Sequence, residues 1–397
     1  MQERNEKCEK LASIIKDFRK DEVSISLDAR HVGKWVDQFS DDVQDIILDE
    51  TIHVFSDWYF TEEKIEDYLE EIIKFLKCTY GFSSEYEMAK NISFVTMQNV
   101  GLSQRLLVNI LERLLSAQYG IKIKKDISTE IKHYVYIDDG LYTGSRARKD
   151  IEELLYSLFP EATVDVFYIV ASTNGLKYTD SLMQKIAQEC RISLKMHRFN
   201  FLENIRRESI DYENGIETRV YGPVQHCLWP DVSCEKEPTI KAFQEKLQKQ
   251  GKNYEKKMYR VSPWEADAGI FTSVENRRIV EKEFLLKGIE IVSNFSEKKG
   301  MYPLGYNLWP SFGFGSFCAS ILNISNSCPL VLWSDYNWYP LLPRRINGMG
   351  DTVVLEEEYE VEYCNGDQYN MCPDCGEYFG TETDGGNGFC IDCAGNY

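Results

Sequence analysis

The sequence predicts an α/β protein built on a parallel sheet, with helices before the sheet and an α+β extension and a cysteine-rich tail after it. Two observations carry this prediction: short β-prone apolar runs alternate with helical patterns, and turn-like loops follow the runs. The runs are ISFVTM, YVYI, VDVFYIVA and ISLKM, at 92–97, 134–137, 164–171 and 192–196. Parallel strands need a crossover connection, usually a helix, so the alternation favours a parallel sheet over hairpins.

The first eighty residues are predicted to form an N-terminal helical region, 1–80. In EEKIEDYLEEIIKFLK, at 62–77, apolar side chains recur at steps of three and four residues and leave a charged back. HVGKWVDQF, at 31–39, has a shorter stripe of the same kind. Packing is the expected role of Trp35 and Gln38 within it.

We expect the α/β core to occupy residues 81–210 and its chemistry to lie in two loops. QNVGLS, at 98–103, follows the first apolar run, and DDGLYTGSR, at 138–146, follows the second. A helical pattern comes after each loop. Ligands of parallel sheets bind at the carboxyl ends of the strands, so both loops are predicted to lie at the same edge of the sheet.

DDGLYTGSR combines two adjacent carboxylates with a glycine turn at a predicted helix start. Backbone N–H groups at such a start attract anions, and the helix dipole adds to the attraction. Gly144 permits close approach of the backbone, while Thr143 and Ser145 offer hydroxyl donors. Asp138 and Asp139 would repel a phosphate, so we interpret them as facing hydroxyl groups and a divalent metal of the same ligand. An acidic turn that caps a helix and binds nothing is the alternative.

Residues 211–360 are predicted to form a C-terminal extension that packs on the core. This segment contains a lysine-rich exposed stretch, a helical pattern around 276–286 and the aromatic, glycine-rich run LWPSFGFGSF at 308–317. The acidic run EEEYEVEY, at 356–363, then leads into the tail and reads as a solvated strand or linker.

The tail, 361–397, carries two CxxC pairs, Cys372 with Cys375 and Cys390 with Cys393. Four thiolates at this spacing suit a tetrahedral structural Zn²⁺ in a small zinc ribbon, with the glycines of DGGNG at a hairpin tip. A closed four-cysteine site folds its segment and leaves no position for catalysis. A redox dithiol is the alternative, which the paired arrangement disfavours. Because the tail is acidic, docking to a protein is favoured over binding to nucleic acid.

Composition and charge exclude several classes of protein. With 43% hydrophobic residues the chain can bury a sizeable core, and its net charge of −19 repels nucleic acid outside any local basic patch. The sequence contains no apolar run of about eighteen residues and no apolar leader, so we expect no membrane partner and a cytoplasmic location. Most of the 12 cysteines are scattered singly, which also favours a reducing compartment.

The motif resembles the phosphoribosyl-pyrophosphate signature of type I phosphoribosyltransferases: an apolar strand, Asp-Asp, three residues, Thr-Gly, a small residue and Thr. The resemblance implies that Asp138 and Asp139 lie by the ribose 2′ and 3′ hydroxyls. It also implies a 5′-phosphate cradle made by Tyr142, Thr143, Gly144, Ser145 and Arg146. The chain departs from the family at Arg146, where Thr is usual, although an arginine also binds phosphate.

The same family has a pyrophosphate-binding turn after an earlier strand. QNVGLS is the matching loop, and the resemblance implies roles there for Gly101, Ser103 and Arg105. The turn lacks a lysine, and an ordinary strand-to-helix turn is an equal alternative. The family chemistry is displacement at the anomeric carbon, with Mg²⁺ bound together with the sugar-phosphate ligand.

Over roughly residues 30–345 the layout also resembles phosphoribosyltransferase-like effectors of bacterial anti-phage conflict systems, some of them linked to retrons. HVGKWVDQF, IFTSVENRRIVEKEFLLKGI, GFGSF, NISNSCPLVLW and WYPLLPRR carry this resemblance. It implies a defence role, protein partners that include a reverse transcriptase with its RNA and DNA, and late aromatic segments that wall the acceptor pocket. It also makes Arg277, Arg344 and Arg345 candidates for phosphate contacts, with a solvated surface as the alternative.

Three functional interpretations follow. The first is a Mg²⁺-dependent phosphoribosyltransferase-like enzyme acting on a nucleotide, a nucleobase or phosphoribosyl pyrophosphate. The second is a non-catalytic module that senses a phosphoribosyl ligand and signals through partners, and the third is a scaffold. Catalysis needs both loops, whereas a sensor needs only the 5′-phosphate cradle.

Overall fold

The structure is a computed structural model. It describes residues 2–20, 23, 25–98, 103–204, 208–213, 216–221, 225–249, 258–260, 266–293, 300–307, 311–344, 370–371 and 378–379. The helices are α1 (Gln2–Ile15), α2 (Ala29–Val36), α3 (Gln44–Trp58), α4 (Glu62–Tyr80), α5 (Glu85–Asn91), α6 (Ser103–Tyr119), α7 (Ser145–Ser157), α8 (Thr173–Cys190), α9 (Pro238–Gln248), α10 (Val274–Val292) and α11 (Leu330–Trp333). The strands are β1 (Tyr59–Phe60), β2 (Ile92–Phe94), β3 (His133–Leu141), β4 (Thr163–Ser172), β5 (Ser193–Leu202), β6 (Glu208–Glu213), β7 (Ile216–Tyr221), β8 (Met301–Tyr302), β9 (Gly305–Tyr306), β10 (Ala319–Ser320), β11 (Asn370–Met371) and β12 (Tyr378–Phe379).

The central sheet has the order β2-β3-β4-β5, and every neighbouring pair in it is parallel. Helices α6, α7 and α8 connect its successive strands, as crossover connections of parallel strands require. The predicted parallel α/β core is therefore confirmed. Strand β2 ends opposite Val135 of β3, and the chain then continues so that Gln98 and Ser103, the described ends of the first predicted loop, both reach Asp138.

Strand β3 is longer than its apolar run predicts, and this corrects the position of the two acids. The strand continues to Leu141, with Gly140 paired to Val170 and Leu141 paired to Ala171 of β4. Asp138 and Asp139 therefore lie inside the strand and not in the loop after it. Asp and Gly disfavour strands, but the ten-residue apolar strand β4 supplies hydrogen-bond partners that override this local preference.

The two faces of the sheet are covered by different helices. On one face, Ile151 and Leu154 of α7 and Met183 of α8 join a buried cluster with Tyr136 and Val164 of the strands. On the other face the packing is by α4, because Phe75 meets Phe167 edge to face at 5.6 Å and the Tyr80 hydroxyl donates to Asp165 Oδ2. This alternation follows from the two-residue period of strand side chains.

The N-terminal helices and the late aromatic segments pack on one another. Trp35 is fully buried and its indole Nε1 donates to Val331 O at 2.8 Å. Phe39 stacks on Phe284 of α10 at 5.6 Å, and β1 pairs in parallel with β10. The packing role predicted for Trp35 is therefore met by contacts more than two hundred residues away in the chain.

The chain divides into two compact units, residues 1–204 with 224–351, and residues 205–223 with 352–397. The first unit contains the parallel sheet, the N-terminal helices and α9 to α11. The second contains the antiparallel pairs β6–β7 and β11–β12. The boundaries predicted at 80, 210 and 360 stay predictions. Among the helices that the structure describes, none is long and apolar enough to span a membrane.

Candidate functional site

Asp138 and Asp139 are consecutive residues of β3, and their side chains lie close enough to interact with each other. Asp138 is buried, with 5% of its surface exposed. Asp139 is half-buried, and Ser320 Oγ donates to its Oδ2 at 3.4 Å. The two neighbouring acids thus occupy different environments.

Each carboxylate oxygen of Asp138 lies within hydrogen-bond distance of two donors. Oδ1 accepts from Ser103 Oγ at 3.0 Å and from the Asp139 amide at 2.9 Å. Oδ2 accepts from Gln98 Nε2 at 2.7 Å and from the Tyr136 hydroxyl at 3.3 Å. Asp138 therefore joins the loop after β2 to the motif on β3, which is the juxtaposition predicted from the parallel sheet.

The ends of the loop after β2 are fastened by two buried glutamines. Gln104 Oε1 accepts the Met97 amide at 2.7 Å and the Gln98 amide at 3.1 Å. In the other direction, Gln98 Oε1 accepts a hydrogen bond from the Gln104 amide at 3.4 Å. Gln98 is thus held at both its backbone and its side chain.

The three residues assigned to a pyrophosphate turn have different surroundings. Ser103 contacts Asp138, as described above. Arg105 is exposed on α6, and within the described part of the chain it makes no hydrogen bond or ion pair with the motif. Gly101 lies outside the described residues. The structure therefore brings one of the three to the acids.

The start of α7 provides an anion-binding geometry. Gly144 is its N-cap, with φ +79°, and no side chain caps the helix, so its first amides are left without a capping acceptor. Ser145 Oγ is buried and, among the described residues, has no hydrogen-bond partner. A Cβ on Gly144 would lie 2.1 Å from Thr179 Oγ1, so this turn requires glycine for its backbone and for its space.

The loop between β3 and α7 is anchored through Tyr142. Its backbone O accepts from Ser172 Oγ, the N-cap of α8, at 2.8 Å. Its hydroxyl lies 3.4 Å from Cys318 Sγ, and its ring meets Phe314 edge to face at 5.9 Å. The resemblance implied that the late aromatic segments, which include GFGSF, wall the acceptor pocket. It did not single out Phe314, Cys318 or Ser320, and only the fold brings these three residues to the site.

Arg146, the departure from the family pattern, is held by a carboxylate one turn later. Its Nε lies 3.4 Å from Asp150 Oδ2, and Asp150 is buried. The Tyr136 hydroxyl lies 3.2 Å from the same Asp150 oxygen and 3.3 Å from Asp138 Oδ2, and its single proton can be donated to one of the two at a time. A row of polar contacts therefore runs from Asp138 through Tyr136 and Asp150 to Arg146 in the first turn of α7.

Burial governs the electrostatics of this cluster. Burial raises the pKa of Asp138 well above its usual range, and the neighbouring charge of Asp139 raises it further. Burial also raises the pKa of Asp139 and that of Asp150. Carboxylates in such surroundings gain from a nearby cation or from hydroxyl donors, which is the chemistry predicted for the two acids of the motif.

Two of the arginines proposed as phosphate contacts make contacts within the protein. Arg277 is fully buried, and its Nε pairs with Glu281 Oε1 at 2.8 Å while its Nη1 donates to Asp267 O at 3.0 Å. It is therefore committed to a structural ion pair in α10 and not to a ligand. Arg344 lies over the Trp333 ring at 5.0 Å. Arg345 lies outside the described residues.

The four cysteines Cys372, Cys375, Cys390 and Cys393 also lie outside the described residues. The antiparallel pair β11–β12 brackets the first CxxC, with one strand ending at 371 and the other beginning at 378. Within the described ranges, no group of three or more His, Cys, Asp or Glu side chains is arranged to hold a metal ion.

Comparison with known proteins gives one family match and no curated relative. A family model described as PRTase-CE matches residues 32–344. That range contains both loops, the two acids, the start of α7 and the segment from Phe314 to Ser320. It ends before the cysteine-rich tail. No curated protein matches the chain.

Proposed function

Since the chain belongs to the PRTase-CE family of phosphoribosyltransferase-like proteins, we propose that it is a phosphoribosyltransferase-like enzyme. Its ligand is phosphoribosyl pyrophosphate or a related nucleotide, bound with Mg²⁺. The uncapped start of α7 carries this proposal, because a 5′-phosphate would supply the acceptors that its first amides and Ser145 Oγ lack. A phosphate there would lie one short turn from the acids of β3.

Asp139 is the acid best placed to meet a ribose hydroxyl. It is less buried than Asp138, and Ser320 Oγ lies 3.4 Å from its Oδ2, whereas Gln98 and Ser103 donate to Asp138 at 2.7 and 3.0 Å. A carboxylate in this position accepts from the 2′ or 3′ hydroxyl. It also stabilises the positive charge that develops on the ribose ring in an oxocarbenium-like transition state.

The reaction is a displacement at the anomeric carbon. The bond from this carbon to a pyrophosphate oxygen breaks, the acceptor nucleophile bonds to the carbon, and the acceptor's proton passes to solvent. Mg²⁺ bound with the ligand would neutralise charge on the leaving pyrophosphate, and Asp139 would be the carboxylate nearest to hold it. The protein's own contribution is to hold the phosphate at α7 and the ribose at Asp139, which fixes the reacting atoms in place.

For the tail, we propose a structural Zn²⁺ held by Cys372, Cys375, Cys390 and Cys393. The spacing of the two pairs supports this proposal, as does the antiparallel pair that brackets the first one. A zinc knuckle is a turn between two short antiparallel strands, and β11 and β12 flank the 372–377 segment in that way.

We also propose that the protein has a role in defence. Its partners would be those of a defence complex, including a reverse transcriptase with its nucleic acids. They rest on the resemblance of the segments between 30 and 345 to conflict-system effectors. The acidic tail, with its zinc site, is the proposed protein-docking element. Loss of phage protection in cells that carry an Asp139→Asn chain would support this part, and full protection would argue against it.

A non-catalytic sensor is the second candidate, and one observation favours it. Because Asp138 is buried and is contacted by Gln98, Ser103 and the Asp139 amide, it is less accessible to a ligand than Asp139. A sensor needs the cradle at α7 and can dispense with the second acid. Turnover of phosphoribosyl pyrophosphate by the wild type would exclude this candidate.

Calorimetric titration of phosphoribosyl pyrophosphate with Mg²⁺ tests the proposal. We expect saturable binding by the wild type and its loss in the double variant Asp138→Asn, Asp139→Asn. Lys34→Ala, on an exposed turn of α2, serves as a control that keeps the wild-type affinity. Folded wild-type protein that gives no heat with this ligand would refute the proposed function.

A further inference from the structure

We propose that Glu203, with the rings of Trp58, Phe201 and His226 beside it, forms the subsite for the acceptor. The acceptor that fits this subsite is a planar nitrogen heterocycle with an N–H group, such as a nucleobase. The inference rests on the proposed function, since an acceptor has a role only where a ribose is transferred. Glu203 lies outside the motif on β3, at the end of another strand of the same sheet.

Glu203 is a buried carboxylate with one unpartnered oxygen. It directly follows β5 and is 5% exposed. Its Oε1 accepts a hydrogen bond from Thr173 Oγ1 at 2.6 Å, whereas its Oε2 has no hydrogen-bond partner among the residues that the structure describes. An unsatisfied carboxylate oxygen inside a protein costs free energy, so this oxygen marks a place for an added donor. The N–H group of a heterocycle is such a donor.

Three aromatic rings lie beside this carboxylate. His226 connects them to it, because its Nδ1 accepts the Glu203 amide at 3.0 Å and its own amide donates to Glu203 O at 2.9 Å. The centre of the His226 ring lies 5.1 Å from that of Trp58 and 5.5 Å from that of Phe201. Burial lowers the pKa of His226, which favours a neutral ring. Trp58 is half-buried and Phe201 is 46% exposed, so flat apolar surface is open to a planar ligand.

The acceptor subsite lies at the same edge of the sheet as the 5′-phosphate cradle. Leu141, the last residue of β3, and Phe201 of β5 are in register with the same residue of β4. Two strand spacings, roughly 10 Å, therefore separate the start of the cradle loop from Phe201. Contacts also connect the two places, because Asn204 Nδ2 donates to Phe314 O at 3.2 Å and the Phe314 ring meets Tyr142 of the cradle. A ribose held at the cradle can thus have its acceptor at the end of β5.

Calorimetry with two kinds of ligand tests the acceptor subsite. The first is a set of four nucleobases (adenine, hypoxanthine, cytosine and uracil), each titrated in the presence of ribose 5-phosphate and Mg²⁺, which cannot react with them. The second is phosphoribosyl pyrophosphate with Mg²⁺, titrated alone. We expect the wild type to bind at least one nucleobase and to bind phosphoribosyl pyrophosphate.

Glu203→Gln should weaken nucleobase binding by about tenfold or more. Because Thr173 donates to Oε1, the amide oxygen of the new side chain takes that place and its NH₂ group opposes the N–H of the ligand. The affinity for phosphoribosyl pyrophosphate should stay within about twofold of the wild type. Glu50→Gln is the matched control, because Glu50 is also buried but both its oxygens accept hydrogen bonds, from the Thr272 amide and from Asn276 Nδ2.

Phe201→Leu tests the aromatic surface without a change in the core. We expect it to weaken nucleobase binding by about fivefold or more, because stacking on the ring is lost. Phe159→Leu should leave that binding unchanged, because Phe159 is 48% exposed but lies between α7 and β4, away from the carboxyl ends of the strands.

A wild type that binds phosphoribosyl pyrophosphate but no nucleobase would overturn the acceptor subsite and leave the proposed function standing. Unchanged nucleobase binding by Glu203→Gln, or equal weakening of both kinds of ligand, would do the same. If thermal unfolding shows that Glu203→Gln does not fold, the comparison of Phe201→Leu with Phe159→Leu decides. A wild type that does not bind phosphoribosyl pyrophosphate would overturn the proposed function and the acceptor role with it.

Discussion

Two identical acids, adjacent in the sequence and close together in the structure, differ in burial and in their partners. Asp138 is buried and accepts from Gln98 and Ser103, while Asp139 is half-buried and accepts from Ser320 of the C-terminal extension. The requirement for glycine at position 144 also has its cause in a single residue's surroundings. A side chain there would enter a left-handed backbone and meet Thr179 of the next helix.

Gly144→Ala tests the requirement for glycine at the cradle. We expect the free energy of unfolding to fall by about 2–4 kcal/mol, from the left-handed backbone and from crowding against Thr179. Gly33→Ala is the control, because no atom lies within 4 Å of its added Cβ. In a helix interior that change is neutral or stabilises by up to about 1 kcal/mol. Urea denaturation of both variants measures the difference, and equal stabilities would contradict the close packing.

At the scale of elements, the site forms where one strand ends and two helices begin. Strand β3 ends at Leu141, α7 begins at Ser145, and α8 begins at Thr173, beside the loop between the first two. Ser172 connects them, because it caps α8 by accepting the Gly175 amide at 2.9 Å and donates to Tyr142 O at 2.8 Å. The Ser172 hydroxyl therefore caps α8 and also holds the loop of the 5′-phosphate cradle in place.

Ser172→Ala should lower both stability and affinity. We expect the free energy of unfolding to fall by about 1 kcal/mol, because the variant loses the N-cap of α8. Phosphoribosyl pyrophosphate binding should weaken by about three- to tenfold, because the cradle loses one of its anchors. Ser273→Ala removes the corresponding cap of α10, where Ser273 Oγ accepts the Asn276 amide at 3.1 Å, and should leave affinity unchanged. Thermal unfolding and calorimetry measure the two effects, and equal affinity in both variants would contradict the dual role of Ser172.

At the scale of the molecule, the first compact unit combines segments from both halves of the chain. Strand β1 of the N-terminal region pairs with β10 of the extension, and Ser320 of β10 reaches Asp139. Phe314 and Cys318, from the same segment, contact Tyr142. The extension therefore forms part of the wall of the candidate site, and the PRTase-CE match covers this arrangement up to residue 344.

The zinc proposal also belongs to this scale. We expect one zinc ion per chain by elemental analysis, lost in the double variant Cys372→Ser, Cys375→Ser and retained in Cys78→Ser, which changes an exposed free cysteine. Binding of phosphoribosyl pyrophosphate should survive the double variant, because the cradle lies outside the tail. Zinc that remains after both substitutions, or a wild type without zinc, would refute the assignment.

Local features of this protein could be predicted from the order of its residues. Alternating apolar runs and helical patterns predicted the parallel sheet, and the Asp-Asp-Thr-Gly motif predicted an anion site at the start of α7. These features depend on neighbouring residues, whose periodicity and turn chemistry are readable in one dimension.

Contacts between distant parts of the chain depend on tertiary packing. Pairing with β4 extends β3 to Leu141, Gln98 and Ser103 donate to Asp138, and Ser320 contacts Asp139 from 181 positions away. Arg277 forms a buried ion pair with Glu281 and is not free to contact a ligand. Such contacts depend on how the elements pack, and no local pattern records which distant side chain will satisfy a buried polar group.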